Sequence, residues 1–492
     1  MSDGKQGKTF GDIVVAQFKR NRPAVIAAWA VVGLCVLAII APVVAQSVPF
    51  ILKTPKDGTS FPWLGALFDK NVFPSGVDLF FNLLMFWLPL SWAVIRFAPV
   101  PTGRSIKVSI GLFIWVFFSI VGPKGLIESG IGKVVFFPQH MLRYSKPKVN
   151  YANLRKPMLE RILAEEKIEM ETKKGLRLQK ELRAAEADLE KANATEQEKQ
   201  DAEAIAGAAK ASIAKSERAL KSWEKRLAEA TEAEKDPAND VFMLLPPIGY
   251  HHDDNDAERV VNAPSFTGWG VGHFLGTDRN GRDVLARIIY GTRVSITIGF
   301  IAVAIYCTIG VILGSFMGYF GGRVDILGMR LVEIMMCFPT FPFMLIIVAV
   351  FDTRSIFLIV VAIGVVGWTG VARLIRGQFI RERSLDYVSA ARSLGVPTPR
   401  IVFKHILPNA IHPVFVSATF GVASAILMES GLAFLGLGDP TVPSWGQILL
   451  QGRETKEAWL IHSPGFAIFF TVTALNLVGE GLRDALDPKL KT

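Results

Sequence analysis

Two long apolar stretches of this chain are separated by the polar segment Asp386-Tyr387-Val388-Ser389-Ala390-Ala391-Arg392-Ser393-Leu394-Gly395. Ser384 is positioned to cap a short helix, and Asp386 falls in its first turn, where a carboxylate interacts favourably with the helix dipole. Gly395 supplies a left-handed stop, and Pro397 prevents the helix from continuing. The sequence therefore predicts a short helix that ends in a glycine turn.

A second short helix is predicted after the glycine turn. Thr398-Pro399 puts a capping hydroxyl before a proline, a residue favoured at the first helical position. Pro408 is expected to end this second helix. The small side chains of Ala390 and Ala391 would let another protein approach the first helix closely.

This helix–turn–helix resembles the EAA loop of ABC-importer permeases, the segment that fits into a cleft on a cytoplasmic ATPase. The paired alanines, the later glycine and the Leu-Pro fall at the family spacing. Ser389 stands where the family usually has Glu, so a salt bridge from that Glu is not expected, while the shape is unchanged. An ordinary amphipathic loop helix is the alternative interpretation. The resemblance implies that the ATPase-coupling residues are Asp386, Tyr387, Ser389, Ala390, Ala391, Arg392, Gly395, Leu407 and Pro408.

The composition is typical of a membrane protein, because half of the residues are hydrophobic and the mean hydropathy is +0.35. A membrane-spanning helix needs about 20 apolar residues. Runs near that length cover residues 23–45, 77–97, 106–121, 294–319, 331–351, 356–375, 411–437 and 464–482. The first run is too long for a signal peptide, so a retained anchor is expected. We predict an all-α integral membrane protein with about eight transmembrane helices.

Positive charge marks one side of the membrane. Five Lys- and Arg-containing segments lie on the same side after eight crossings: the N-terminus, the loop after the second span, the turn at 318–330, the helix–turn–helix and the C-terminal tail. Since Lys and Arg concentrate in cytoplasmic loops, both termini and the 384–408 loop are predicted to be cytoplasmic. The formal net charge of +10 is explained in the same way, without a nucleic-acid partner. A multi-pass protein of the bacterial inner membrane is predicted.

A charged segment at 156–235 interrupts this pattern, being rich in Ala, Glu, Lys, Arg and Gln. Small and apolar residues recur there at alternating spacings of three and four, which is typical of coiled-coil seams. Asn193-Ala194-Thr195 is a plausible reversal, so an antiparallel helical hairpin is predicted. A single solvated helix or a disordered segment is the alternative. Three spans precede the hairpin, which puts it outside the cytoplasm.

Few residues suggest metal binding. His251-His252-Asp253-Asp254 lies in the linker after the hairpin, and a solvated loop is favoured over a metal site because adjacent residues cannot easily surround one ion. No pair of the three cysteines has metal-ligand spacing. Glu429 falls well inside an apolar run, where it is a candidate for pore lining or, slightly favoured, helix contact.

The resemblance extends from residue 275 to residue 488, and loosely to residues 23–45. Motifs similar to those of oligopeptide and dipeptide permeases are Leu275-Gly276-Thr277-Asp278, Gly281-Arg282-Asp283-Val284-Leu285, Tyr290-Gly291-Thr292-Arg293, Gly318-Tyr319-Phe320-Gly321-Gly322, Leu435-Gly436-Leu437-Gly438 and Ser444-Trp445-Gly446. Leu449-Leu450-Gln451-Gly452 and Ala458-Trp459-Leu460 are most similar to the microcin C-type branch. The two extra spans and the hairpin depart from the usual six-span pattern.

The resemblance implies half of a transport pore. Its expected partners are a second homologous permease, two ABC ATPase subunits, an extracytoplasmic peptide-binding protein and membrane lipid. ATP and Mg would be bound by the ATPase subunits, and this chain would hold no cofactor, no metal and no catalytic residue. A membrane scaffold or channel subunit that uses the coiled hairpin for assembly is the alternative function.

Five regions are predicted along the chain. Residues 1–45 form the cytoplasmic N-terminus and first span, and 46–149 contain two extra spans. Residues 150–236 form the hairpin, 237–292 an extracytoplasmic linker and pre-core segment, and 293–492 the permease core with its coupling loop at 384–408.

Overall fold

A computed structural model describes residues 10–54, 58–69, 72–73, 75–97, 106–114, 151–189, 196–235, 242–265, 272–351 and 355–486. The described part is mainly helical, as predicted. Its helices before the hairpin are α1 (Phe10–Phe18), α2 (Arg22–Val44), α3 (Pro62–Ala66) and α4 (Gly76–Phe97), and the hairpin helices are α5 (Tyr151–Leu189) and α6 (Glu196–Glu234). The later helices are α7 (Val284–Phe320), α8 (Gly322–Cys337), α9 (Thr340–Val350), α10 (Ile356–Val366), α11 (Trp368–Glu382), α12 (Asp386–Ser393), α13 (Thr398–Arg400), α14 (Leu407–Ala410), α15 (His412–Phe434), α16 (Trp445–Thr455) and α17 (Ala458–Leu486).

Five described helical stretches are long and apolar enough to cross a membrane: α2, α7, the continuous run Ile356–Glu382, α15 and α17. A sixth results if α8 and α9 form one bent span. The start of α2 illustrates how local residues define these helices. Asn21 is its N-cap, with Oδ1 accepting from the Ala24 amide at 3.2 Å, and Pro23 occupies the first turn.

The span predicted at 331–351 contains a sharp bend in the structure. The structure bends by 81° between α8 and α9. Pro339 is the N-cap of α9, and Phe338 before it is extended at φ −83° and ψ 127°. A residue preceding proline is driven out of the helical region, so the chain breaks there.

Glycines allow α7 and α11 to pack closely. A Cβ at Gly310 would lie 2.6 Å from Val371 Cβ, and one at Gly318 would lie 2.5 Å from Phe379 Cβ. Small residues four apart on one face let helix backbones approach. Since residue numbers rise together along both helices, the two helices run parallel and their carboxyl ends meet.

The two ends of α7 lie on opposite sides of the membrane region. Its 37 residues span about 55 Å at 1.5 Å per residue. At the amino end, the Tyr290 hydroxyl donates to the Ala45 carbonyl at 2.9 Å, at the end of α2. At the carboxyl end, Arg383 donates to the Gly318 carbonyl at 3.0 Å. The segment after α11 therefore lies on the opposite side from the end of α2.

The extra apolar segments pack on the core near the amino end of α7. Gly76–Trp92 of α4 is a shorter apolar helix. Residues 106–114 are also helical, and Ser109 contacts α4 through Trp87 Nε1 at 3.1 Å and Ser91 Oγ at 2.6 Å. The rest of the span predicted at 106–121 lies outside the described residues, so the count of eight stays a prediction.

The charged segment forms two antiparallel helices of 39 residues each, α5 and α6. Ser216 Oγ donates to Glu171 Oε2 at 2.5 Å, and Arg161 pairs with Glu234 at 2.8 Å. Alanines of the predicted α6 stripe are buried along the seam: Ala202, Ala206, Ala209 and Ala230. The reversal predicted at 193–195 lies outside the described residues, and coiled-coil supercoiling stays a prediction.

A small antiparallel sheet joins the two sides of the inserted region. Its strands are β1 (Ile51–Thr54), β2 (Gly58–Ser60) and β3 (Phe242–Leu244), in the order β2-β1-β3. Leu52 lies opposite both Ser60 and Met243. The chain thus returns to β1 after the hairpin. The five predicted domain boundaries stay predictions, and α7 begins at Val284, before the boundary predicted at 292/293.

Candidate functional site

The helix predicted at the opening of the 384–408 loop is α12, but its cap differs from the prediction. Leu385 is the N-cap and makes no side-chain cap bond, whereas the Ser384 hydroxyl donates to the Arg381 carbonyl at 2.7 Å. Ser384 therefore ends α11 instead of capping α12. Asp386 lies in the first turn as predicted, where it suits the helix dipole.

The predicted glycine stop is confirmed. Gly395 has φ +71°. Its amide donates to the Arg392 carbonyl at 2.9 Å, and the next amide, of Val396, donates to the Ala391 carbonyl at 3.1 Å. This pair of bonds is a Schellman motif, which requires a left-handed residue and so favours glycine.

The second half of the loop is more irregular than predicted. Pro397, not Thr398, is the N-cap of α13, and a π-helical turn over Ile401–Ile406 follows. Pro408 does not end the helix, because it lies in the first turn of α14 directly after Leu407. Proline has no amide hydrogen to donate to the carbonyl four residues earlier in a helix. The π-helical turn before Pro408 accommodates this missing hydrogen bond.

The inner face of α12 is built into the core. Val388 and Ala391 are buried in one cluster with Ile401, Met317 of α7 and Phe379 of α11. Residues three apart share a helix face, so these two side chains point inward together. The expectation that both alanines face a partner is therefore wrong for Ala391.

Polar contacts also tie the loop to the helix ends. The Tyr387 hydroxyl donates to Glu382 at 2.8 Å, and Arg392 lies 5.2 Å from the centre of the Tyr319 ring. Burial and the neighbouring Glu382 raise the pKa of Tyr387, so it stays a hydrogen-bond donor. Arg383 donates to the carbonyls of Gly318 and Tyr319. A displacement of α12 would therefore be transmitted to α7 and α11.

The outer face of the loop is exposed and partly apolar. Leu394 is 83% exposed, and Leu385 and Phe403 are also exposed. Ser389 and Ala390 are exposed between them. Among the remaining predicted coupling residues, Asp386, Arg392, Gly395 and Pro408 are exposed and Leu407 is half-buried. An exposed apolar helix face of this kind suits a groove on another protein.

Glu429 is a helix-contact residue in this structure. It is only 2% exposed, and its Oε1 accepts from Ser444 Oγ at 2.6 Å, while Ser430 Oγ donates to Oε2 at 3.4 Å. Both partners are hydroxyls of the α15–α16 region. A pore-lining position is not what the described structure shows.

A second polar cluster, the outer polar layer, surrounds the amino end of α7. Asp283 caps α7 by accepting from the Ala286 amide at 2.7 Å, and its other oxygen is 2.8 Å from His273 Nδ1. The prediction of a solvated loop at His251 and His252 is wrong, since both are buried and their rings lie within 5.1 Å of the Tyr290 ring. Tyr290 is distant in sequence, so the local pattern carried no sign of this burial.

The pKa values of two buried histidines in the outer polar layer are shifted in opposite directions. Burial alone would lower the pKa of His273, but the carboxylates of Asp256, 3.9 Å away, and Asp283, at hydrogen-bond distance, outweigh it and raise the pKa above 6.5. Burial, with His251 and nearby arginines, holds the pKa of His252 well below 6.5. Stability from His273 is therefore complete below about pH 6.5 and lost as pH rises, whereas His252 destabilises the fold as pH falls below 6.5.

Sequence reasoning missed the structural role of Arg293 and Arg259. Arg293 pairs with Asp78 of α4 at 3.0 Å, and Arg259 pairs with Glu166 of the hairpin at 3.3 Å. Both arginines are fully buried. The signal for Arg293 was an arginine ten residues inside a 37-residue apolar helix, which requires a partner.

Two family models match this chain, one near its amino end and one over its carboxyl-terminal part. A family model described as the binding-protein-dependent transport system inner membrane component matches residues 310–492. Another, described as the N-terminal TM domain of oligopeptide transport permease C, matches residues 9–56. The hairpin and the extra apolar segments fall between these two ranges.

Individual relatives have the same character. The chain is 41% identical over 254 residues to the oligopeptide transport system permease protein OppC of Haemophilus influenzae, covering 51% of this chain and 80% of that protein. It is 39% identical to the dipeptide transport system permease protein DppC of the same organism, in a match that covers 51% of this chain and 81% of that protein. OppC of Bacillus subtilis is 41% identical, in a match that covers 44% of this chain and 72% of that protein. An inward-facing structure of the MetNI methionine ABC transporter aligns at a TM-score of 0.35 and 17% identity, covering 41% of this chain and 97% of that chain.

Proposed function

The chain belongs to the oligopeptide and dipeptide permeases of ABC transporters, and on this premise we propose that it forms half of a peptide-import pore driven by separate ATPase subunits. Its homologues are transport subunits rather than enzymes, and its apolar helices suit a multi-pass inner membrane protein. A peptide would pass between this chain and a second homologous permease.

The observation that carries the coupling proposal is the asymmetry of α12. Val388 and Ala391 are packed into the core with the carboxyl ends of α7 and α11, while Ala390 and Leu394 face outward. A rigid helix with one face buried and the other exposed can receive a push and pass it on. Two ABC ATPase subunits, which would bind ATP and Mg, are the proposed source of that push.

The same proposal fixes an orientation. With α12 facing the ATPases in the cytoplasm, the opposite end of α7, the outer polar layer and the base of the hairpin would face outside, where a peptide-binding protein docks. Asn21 Nδ2 donates to Asp484 at 3.2 Å, so the start of α2 lies beside the end of α17. Both termini are accordingly proposed to be cytoplasmic.

Charge placed on the exposed face of α12 tests the coupling proposal. Ala390→Glu in the complete transporter should lower peptide uptake and binding-protein-stimulated ATP hydrolysis about tenfold or more, because a carboxylate without a partner is poorly tolerated in a close contact. Ala208→Glu is the matched control, since Ala208 is also an exposed helical alanine but lies in α6 of the hairpin. Membrane insertion should be normal for both variants.

Two results would contradict this reasoning. Equal uptake for Ala390→Glu and the control would mean that α12 does not face the ATPase. A wild-type complex that hydrolyses ATP but takes up no peptide would overturn the transport function itself. The alternative of a scaffold or channel subunit is not favoured, because the relatives are transport permeases. Membership of the microcin C-type branch stays a prediction.

A further inference from the structure

Glu429 is a buried acidic side chain of α15, one of the helices long and apolar enough to span a membrane. Its carboxylate contacts two hydroxyls, Ser444 at 2.6 Å and Ser430 at 3.4 Å. Within the described residues, no Lys, Arg or His side chain forms an ion pair with it. A buried acid in a membrane span is costly, so a leucine would be the expected residue if packing were its only purpose.

The Ser444 contact is unusual for the position that Ser444 occupies. Ser444 is the N-cap of α16, yet it makes no side-chain cap bond to its own helix. Serine at an N-cap ordinarily accepts from the amide two or three residues later. Here its hydroxyl donates to Glu429 instead, so the N-cap of α16 is fastened to α15. The carboxylate also lies beside the amino end of α16, where the helix dipole favours negative charge.

Helix α16 has little freedom to move where it is fastened. A Cβ on Gly446 would lie 2.3 Å from the Ser430 carbonyl, so α16 and α15 touch backbone to backbone. On the other side, Trp445 Nε1 donates to the Ile288 carbonyl of α7 at 3.0 Å. The start of α16 is therefore wedged between α15 and α7 at the amino end of α7.

The far end of α16 meets the pre-core loop, residues 272–283. Arg279 pairs with Glu454 at 2.5 Å. A Cβ on Gly452 would lie 2.9 Å from the Leu460 carbonyl of α17. Helix α16 consequently joins α7, α15, α17 and the pre-core loop at the side of the protein opposite α12.

We infer that Glu429 is a positioning residue for peptide passage, which fixes α16 between α15 and α7 through Ser444 and so sets the outer opening of the pore. The inference rests on the proposed transport function. Glu429 does not need to touch the peptide. Its acceptor oxygen fixes the N-cap of α16 at one position on α15, which an apolar side chain of the same volume cannot do.

Substitutions that keep or remove the acceptor test this role in the complete transporter, reconstituted with its partner permease, ATPases and binding protein. Uptake of a radiolabelled tripeptide mixture and ATP hydrolysis are measured together. Glu429→Gln keeps an acceptor oxygen and should retain uptake within about twofold. Glu429→Leu leaves the Ser444 hydroxyl without its acceptor, and peptide uptake should fall about tenfold or more. Glu429→Leu combined with Ser444→Ala should be no worse than Glu429→Leu alone, because both changes remove one bond.

A purely structural role predicts a different pattern. Under the positioning role, basal ATP hydrolysis without the binding protein stays near wild type and peptide taken up per ATP falls. A structural role would lower the amount of assembled complex and leave that ratio unchanged. Ser444→Ala removes the same bond with a smaller change in volume, so it decides the matter if Glu429→Leu fails to assemble.

Three outcomes would overturn the inference. They are a loss for Glu429→Gln as large as that for Glu429→Leu, wild-type uptake per ATP for both Glu429→Leu and Ser444→Ala, and additive losses in the double variant. Absence of uptake by the wild-type complex would instead count against the proposed function, so the two failures are distinguishable.

Discussion

Arg293 offers a sharp test of whether the extra helix α4 is an integral part of this permease. Its guanidinium is completely buried. It donates to the Ala38 carbonyl of α2 at 2.6 Å, to Asp78 of α4 at 3.0 Å and to Asn82 of α4 at 2.9 Å. One side chain of α7 thus holds two other helices, and Arg293→Met would remove all of these bonds.

The size of the effect follows from this geometry. Removing one partner of a buried ion pair costs about 3–5 kcal/mol, because the other charge is left without compensation. Replacing both partners with apolar residues is often close to neutral. Arg293→Met should therefore destabilise the protein by about 3–5 kcal/mol, and adding Asp78→Leu should recover about 2 kcal/mol or more of that loss.

The assay is the unfolding free energy of the purified protein in mixed micelles, measured by denaturing-detergent titration for the wild type, both single variants and the double variant. Asp78→Asn is the control, since it keeps an acceptor oxygen for Arg293. The reasoning is refuted if Arg293→Met costs less than about 1 kcal/mol. It is also refuted if the two single losses add, because additive effects mean that the residues act independently.

Other contacts give further expectations. Arg259→Glu should make the base of the hairpin about tenfold or more sensitive to trypsin, because it breaks a buried ion pair, and adding Glu166→Arg should restore part of the protection; unchanged digestion of the single variant would refute the anchoring role. His273→Gln should flatten the loss of thermal stability above pH 6.5 and His252→Gln the loss below it, with slopes of at most about 1.4 kcal/mol per pH unit for each proton; identical pH profiles for the wild type and both variants would contradict the assignment. Gly395→Val should reduce peptide uptake while sparing membrane insertion, because φ +71° costs a β-branched residue about 1–2 kcal/mol, whereas Gly395→Asn should be tolerated; equal uptake by the two would show that the left-handed turn is dispensable.

Features set by neighbouring residues were predictable from the sequence. The stop at Gly395 depends on one backbone conformation and on the proline that follows, and the structure has both. Apolar length alone identified α2, α7 and α15, because a span needs only about 20 residues of suitable character. The pairing of α5 and α6 likewise followed from a repeat of small residues, and its antiparallel direction from the short reversal predicted between them.

Features set by distant contacts were not predictable. The orientation of Ala391 is decided by Ile401 and by residues of α7 and α11, so the local sequence offered no reason to separate it from Ala390. The burial of His252 depends on Tyr290, and its 3.9 Å contact with Asp78 crosses a long stretch of chain. The break before α9 did have a local signal, in Pro339, but hydropathy averages conceal a single proline.

The Arg293–Asp78 pair also has a consequence for the order of synthesis. The two residues are 215 positions apart, and ribosomes add about 5–20 residues per second, so the acid precedes its arginine by roughly 10 to 40 s. During that interval Arg293 is not yet present to pair with the carboxylate of Asp78. Asp78 lies in the first turn of α4, where a charge costs less than at the centre of a membrane-spanning helix. β1 similarly precedes β3, with which it pairs. The contacts around the amino end of α7 can therefore be completed only after residue 293 has been synthesised.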